Sequence, residues 1–399
     1  LSEKLSIGGF EVESLLDCSS NVKGVVLGKV LSVVKHDNSE KLSICSVDIG
    51  SSNPLQIICG AKNIKPNIHV YVATVGAHLS AINMTIKRSE IRGVLSEGMI
   101  CSLEELGIED TSEGIAIINE DIVSKHKLGT SGALLLNLND YIYDLAITAN
   151  RPDGMSVVGI AREISALLET KFTSPELKTK YQIKVNKKFE LCPAAITNNC
   201  LYSICHISSV KGKELSPQWL KDRLHKSGIK SINLLVDITN YILLEQGQPL
   251  HAFDKDKLSS LIGRDVVPED FSVRKGKDNE SLLCLNGENY DLNENVTIVA
   301  CDDIPVAVAG VIGGLETAVN DDTSSIFLEG AVFNPVTVRK SSKEIGIRTE
   351  SSSRFEKGIS YKNTLDSVAR AINLIEDNFK ISNPTINTCL LYTSDAADE

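Results

Sequence analysis

His251 is the residue of this sequence that most invites a chemical reading. It follows the run Leu235-Val-Asp-Ile-Thr-Asn-Tyr-Ile-Leu-Leu-Glu-Gln-Gly-Gln-Pro-Leu. An imidazole with its ordinary near-neutral pKa can position or deprotonate a water. The plainer alternative is a packed or solvent-facing loop histidine. A second candidate is Glu329, in Ile326-Phe-Leu-Glu-Gly, an acid expected at the end of an apolar strand. It is either a surface acid or an acceptor for a buried hydroxyl. Gly313 and Gly314 follow an apolar run from Pro305 and permit close backbone approach, with a plain turn as the alternative. Basic residues Lys62, Lys65, Lys87, Arg88 and Arg92 lie within one strand-rich segment and read as a phosphate-binding groove or a solvated face.

Local patterns say how these residues would be held. Leu234, Leu235 and Val236 read as a strand end and Asp237 as the N-cap of a helix. Ile238, Tyr241 and Ile242 recur at helical spacing. Gly247 ends that helix and Pro249 forces extended chain, so His251 is expected on a stiff loop. Upstream, Ser216 caps a helix with Pro217 at its first position, ending near Gly228. Phe271–Lys275, Val296–Cys301 and the run from Pro305 read as strands, and Arg339 to Ile345 as a helix. Asn150-Arg-Pro-Asp is a turn with a capping acid, followed by Val157, Ile160, Ala161, Ile164, Leu167 and Leu168 at helical spacing. Residues 173–188 are polar and lysine-rich and read as a linker with one strand.

Between Val25 and Gly107 the pattern is of short strands. Val25–Val34, Leu42–Ile49, Leu55–Cys59 and Val70–Val75 are separated by Gly60, Pro66 and Asn67, a spacing that suggests a small barrel. Tyr71 is the one candidate for stacking a base.

The 399 residues are 42% hydrophobic and 23% charged, enough for two to four domains. No apolar run approaches the length of a membrane span. The ten cysteines form no Cys-x-x-Cys pair, so zinc and iron–sulfur ligation are not expected. Cys45, Cys59, Cys101 and Cys301 read as reduced core thiols of a cytosolic protein. The net charge of −11 argues against global attraction to nucleic acid and leaves it to local patches. No signal peptide is visible, and with Leu1 as the first residue the native start is expected to be missing.

Several motifs carry a family resemblance. Val-Asp-Ile-Thr-Asn-Tyr and Gly-Gln-Pro-Leu-His-Ala-Phe-Asp resemble the editing region in the beta subunit of bacterial phenylalanyl-tRNA synthetase. Lys35-His-Asp-Asn-Ser-Glu-Lys-Leu, Ile58-Cys-Gly-Ala-Lys-Asn and Ile91-Arg-Gly-Val-Leu-Ser-Glu-Gly-Met resemble the tRNA-binding OB-type module of the same subunit. The likeness runs in order over about residues 1–388. It departs at Gly154, where the family usually has cysteine, at Leu201, where it often has arginine, and at Ser351, where it usually has alanine. Cys389-Leu-Leu-Tyr-Thr-Ser-Asp-Ala-Ala-Asp-Glu instead resembles a translated sequencing-library adapter, and 389–399 is expected to be a non-native tail.

The resemblance implies an α+β multidomain fold. A small split α/β domain (1–20 and 140–172) would carry an inserted OB-type β-barrel (21–139) and be followed by a mixed α+β editing domain (189–380). It implies tRNA binding through Lys62, Lys87, Arg88 and Arg92. It also implies hydrolytic editing at a pocket with His251 and Glu329 as its chemical residues, walled by Gly313, Gly314, Thr349, Ser351, Thr239 and Asn240. The chemistry answers a selectivity problem, because an apolar pocket rejects an isostere that merely adds a hydroxyl by only about a hundredfold. A second site that demands the phenol inverts the test, with Glu329 accepting from tyrosine's hydroxyl and His251 serving the water, without a metal. ATP and magnesium would act at an adenylation site on the partner alpha subunit, in an alpha2-beta2 heterotetramer in the cytoplasm, with tRNA(Phe) as the RNA partner and no membrane. Two rivals remain: a tRNA-binding module with an inert editing domain, and a free-standing editing hydrolase.

Overall fold

The structure, a computed structural model, describes residues 1–178, 181–185, 190–191, 201–382 and 384–390. It is mixed α+β and divides into two compact units, Glu13–Asp144 and the combination of Leu1–Val12 with Leu145–Glu399.

The Glu13–Asp144 unit is built on an antiparallel sheet in the order Gly98–Ile100, His69–Thr74, Val25–Lys35, Ser43–Asp48, Leu55–Cys59. The long strand Val25–Lys35 pairs with His69–Thr74 along its first half and with Ser43–Asp48 along its second. A register shift between Val30 and Ser32 marks the bulge that turns the corner. The outer strands then meet: Glu97 N donates to Gln56 O at 2.8 Å and Ile58 N to Ser96 Oγ at 3.1 Å. The result is a nearly closed five-stranded barrel. Cys45, Val47, Ile57, Val70 and Val72 fill it, as the alternation along Ser43–Asp48 requires. Tyr71 is 5% exposed and packs among Val25 and Leu27. It is therefore core and not a stacking platform: alternation puts it on the face opposite Val70 and Val72, where Leu79, Leu106 and Leu135 cover it.

The other unit is a three-layer arrangement. One sheet runs Gln182–Val185, Thr385–Leu390, Leu201–Ser208, Ser325–Val332, Leu250–Asp254. Its two faces are divided by the period of two. Cys205, Ile207, Ala252, Ile326 and Leu328 face one core with Leu220, Leu224, Ile238, Ile242 and Ile372 of the helices Gln218–Lys226, Leu234–Gln246 and Tyr361–Glu376. Tyr202, Ile204, Phe253, Phe327 and Ala331 face a second core with Phe271, Val273, Ile298 and Val306. These last belong to a second sheet, Glu190–Leu191, Phe271–Lys275, Thr297–Cys301, Ile304–Val308, Ile312–Gly313. Burial pushes the thiols of Cys45, Cys101 and Cys301 up to about 12 and raises that of Cys59, as core thiols require.

Three local expectations are corrected. Leu234–Val236 is the first turn of the helix Leu234–Gln246, capped by Asn233, whose side chain accepts from Val236 N at 3.0 Å. Asp237 is fully buried inside that turn and accepts from Ser216 Oγ at 2.6 Å, from Ser231 Oγ and from Ile232 N at 2.9 Å. Ser216 therefore caps no helix, since its hydroxyl is committed to Asp237. In the Asn-Arg-Pro-Asp element the helix cap is Ser156, accepting from Gly159 N, while Asp153 pairs with Arg151. Arg151 also bonds Glu163 and lies 4.2 Å over the Phe10 ring. Gly154 leaves room for that ring, for a Cβ there would stand 2.2 Å from Phe10 Cε1.

The expected linker 173–188 contributes the strand Gln182–Val185, parallel to Thr385–Leu390. The latter strand includes the first two residues of the tail expected to be foreign. Residues 391–399, like most of 189–200, lie outside the described residues.

Candidate functional site

His251 and Glu329 are directly opposite each other on neighbouring antiparallel strands, Leu250–Asp254 and Ser325–Val332. Cross-strand partners project from the same face of a sheet, so both side chains turn toward the second sheet. Neither sits where the local pattern put it. His251 is the second residue of a strand and not on a loop, because the chain after Pro249 joins the sheet edge. Glu329 is in the middle of its strand and not at its end, since pairing with Leu201–Ser208 continues to Val332 and pairing with Leu250–Asp254 to Gly330.

Both residues line a cavity of about 280 Å³, the lower end of the range for small-molecule sites. Gly313, Thr349, Ser351, Thr239 and Asn240 line the same cavity, with an apolar wall that includes Val299, Ala307 and Phe355. The structure thus gathers seven of the eight expected pocket residues. Gly314 is the exception: its amide donates to Val306 O at 2.9 Å and is not available to a ligand. Gly313 makes room for the histidine, because a Cβ there would lie 2.3 Å from His251 Cε1. On its other side the His251 ring meets Phe253 edge-on, centroids 4.4 Å apart.

The hydroxyls of the wall are occupied. Thr349 caps the helix Glu350–Lys357, accepting from Ser352 N at 3.0 Å and donating to Val311 O at 2.9 Å. Ser351 Oγ donates to Gly310 O at 3.2 Å, so the polarity it adds turns toward backbone. Thr239 Oγ1 donates to Val236 O within its own helix.

Electrostatics correct one expectation. The His251 pKa is not near 7: burial pushes it down to about 4, because the charged form loses its hydration. Its Nε2 is buried and has no partner among the described residues. Burial pushes the Glu329 carboxyl up to about 7, partly opposed by a hydrogen bond from Tyr202. That bond, Tyr202 OH to Oε2 at 3.0 Å, was not foreseen from sequence. The available signal was Tyr202 and Ile204 alternating onto one face of an apolar strand.

The basic residues of the barrel unit are less open than their spacing suggests. Lys62 and Lys87 are exposed. Arg88 pairs with Glu97 at 3.1 Å. Arg92, in a left-handed turn at φ +49, donates to Asn38 O at 2.9 Å.

Comparison with known proteins agrees with these two units. Residues 198–380 match the B3/4 domain family and residues 25–127 a tRNA binding domain family. A relative from Prochlorococcus marinus subsp. pastoris, named phenylalanine–tRNA ligase beta subunit, is 82% identical over 97% of this chain and 47% of its own length. One of the same name from another Prochlorococcus marinus strain is 73% identical over 99% of this chain and 48% of its own. A solved amino-terminal fragment of the phenylalanyl-tRNA synthetase beta subunit of Pyrococcus horikoshii is 16% identical, covers 63% of this chain and 65% of its own, and has a TM-score of 0.30, too low to bear on the fold. The chain spans about half the length of the curated relatives it matches, and with identity of 82% over 97% of its residues it belongs to the family of phenylalanine–tRNA ligase beta subunits.

Proposed function

We propose that the His251–Glu329 pocket hydrolyses tyrosine wrongly esterified to the tRNA for phenylalanine, while the OB-type barrel binds tRNA. The complete subunit would support ATP-dependent charging by an alpha subunit, as alpha2-beta2 in the cytoplasm. The observation that carries the reading is the register: His251 opposite Glu329, both lining one cavity, with Gly313 leaving room for the imidazole. A tyrosyl side chain in the cavity would offer its phenol to Glu329. A phenylalanyl side chain would leave a buried carboxyl unmatched, at a cost of about 1–3 kcal/mol. His251 is neutral above about pH 4. Its Nε2 can accept a hydrogen bond from the attacking water and aim that water at the ester carbonyl. The acyl C–O bond then breaks, and the ribose oxygen takes up the proton that the attacking water gives up.

So low a pKa makes the imidazole a weak base, which favours positioning over full proton abstraction. The described residues hold no group of three or more His, Cys, Asp or Glu able to take a metal. Nor is any helix among them long and apolar enough to cross a membrane.

The test is deacylation of tyrosyl- and phenylalanyl-tRNA by the full-length subunit assembled with its alpha partner. Glu329→Ala should erode the preference for the tyrosyl ester, and His251→Ala should slow its hydrolysis by up to about 10²-fold. If both folded variants clear tyrosyl-tRNA at the wild-type rate, the pocket is inert and the chain is a tRNA-binding module.

A further inference from the structure

We infer that Tyr202 is a positioning residue of this pocket: its hydroxyl holds one oxygen of the Glu329 carboxyl and presents the other to the phenol of the bound ester. The inference rests on the hydrolytic reading above and adds to it the group that makes Glu329 selective. Ile204 is opposite Glu329 in the sheet and Tyr202 is opposite Ala331, so Tyr202 is the diagonal neighbour of Glu329 on the same face, within reach of an aromatic side chain. It is 1% exposed and belongs to the core between the two sheets. The cavity is lined by Glu329 but not by Tyr202. Tyr202 therefore touches no ligand and acts only through the carboxyl.

The bond from Tyr202 OH goes to Oε2. It is the only hydrogen bond to this carboxyl recorded among the described residues. A carboxyl has two oxygens and about four acceptor sites, so the bond orients the group without exhausting it. Orientation matters because discrimination depends on a fixed acceptor. A glutamate free to rotate could leave the pocket when phenylalanine enters and escape the cost of being unmatched. Tyr202 ties Oε2 down on the core side, so the remaining acceptor cannot follow.

Tyr202→Phe keeps the ring and removes only the donor. Measured in the assembled enzyme, it should lower the tyrosyl-over-phenylalanyl deacylation ratio by about tenfold, the scale of one hydrogen bond to a charged group. The ratio should also change its pH profile. In wild type it should climb as Glu329 ionises, near pH 7. Without the donor that favours the ionised form, the climb should move to higher pH. In a Glu329→Ala background Tyr202→Phe should add nothing, because the two act as one unit.

The possible failures separate cleanly. If Glu329→Ala leaves the ratio unchanged, the hydrolytic reading falls. If Glu329→Ala erodes the ratio but Tyr202→Phe keeps both the wild-type ratio and profile, only the role of Tyr202 is overturned. Should Tyr202→Phe not fold, 3-fluorotyrosine placed at position 202 keeps the ring and strengthens the donor. The profile should then move to lower pH, and an unmoved profile would overturn the inference.

Discussion

A carboxyl buried between two sheets carries its burial into the pH dependence of stability. Glu329 ionises near 4.5 when exposed and near 7 in the fold. Below pH 4.5 it is protonated in both states and affects nothing. Between those values the unfolded chain releases a proton that the folded one keeps, so stability falls as pH rises toward 7 and stays low above it. The upper bound on that loss is about 3 kcal/mol. Glu329→Gln should therefore raise the urea midpoint at pH 8 and leave it nearly unchanged at pH 4.5. An equal effect at both pH values would show that Glu329 does not carry the shift. His251 and Glu329 could be singled out as candidates from residue type and motif. Their juxtaposition was not legible, because register between strands separated by some eighty residues leaves no local mark. The Tyr202 bond was hidden for the same reason, and the histidine's low pKa because burial is a property of the folded site.

At the scale of elements, the helix Leu234–Gln246 shows how a correct residue type can be given the wrong task. Asp237 has the chemistry of an N-cap, and read alone the sequence assigns it one. The fold gives the cap to Asn233 and uses Asp237 as an anchor that gathers Ser216, Ser231 and the Ile232 amide. A helix start reads ambiguously when two capping residues stand four apart, and only a tertiary partner such as Ser216 decides between them. The helix end was legible, since Gly247 takes the left-handed conformation at φ +74 that a C-terminal stop asks for. Asp237→Ala would leave buried donors unpaired and is expected to cost about 2–4 kcal/mol, whereas Asn233→Ala should cost about 1 kcal/mol. Urea unfolding of both variants checks the order. A larger loss from Asn233→Ala would mean that the cap and not the anchor secures this helix.

For the whole molecule, the question is how a chain of net charge −11 would attract an RNA. Attraction of that kind must come from a few local cations, and the structure ranks them. Arg88 is partly neutralised by Glu97 and Arg92 is tethered to the Asn38 carbonyl, while Lys62 and Lys87 are exposed. The barrel itself was legible in the alternation and spacing of its strands. Which of its cations are engaged elsewhere was not, because Glu97 and Asn38 come to them only through folding. With Tyr71 buried in the core, stacking by that ring gives no help, so affinity from the barrel should be electrostatic and strongly salt-dependent. Lys87→Glu and Lys62→Glu in the assembled enzyme should each weaken tRNA binding and flatten the log–log salt slope by about one unit for each phosphate no longer neutralised. Arg88→Glu should do less, because it removes a charge already paired, although it also sets two acids side by side. Binding isotherms at several salt concentrations separate these cases. An unchanged slope in both lysine variants would leave the barrel a structural part of the subunit, with the RNA held elsewhere.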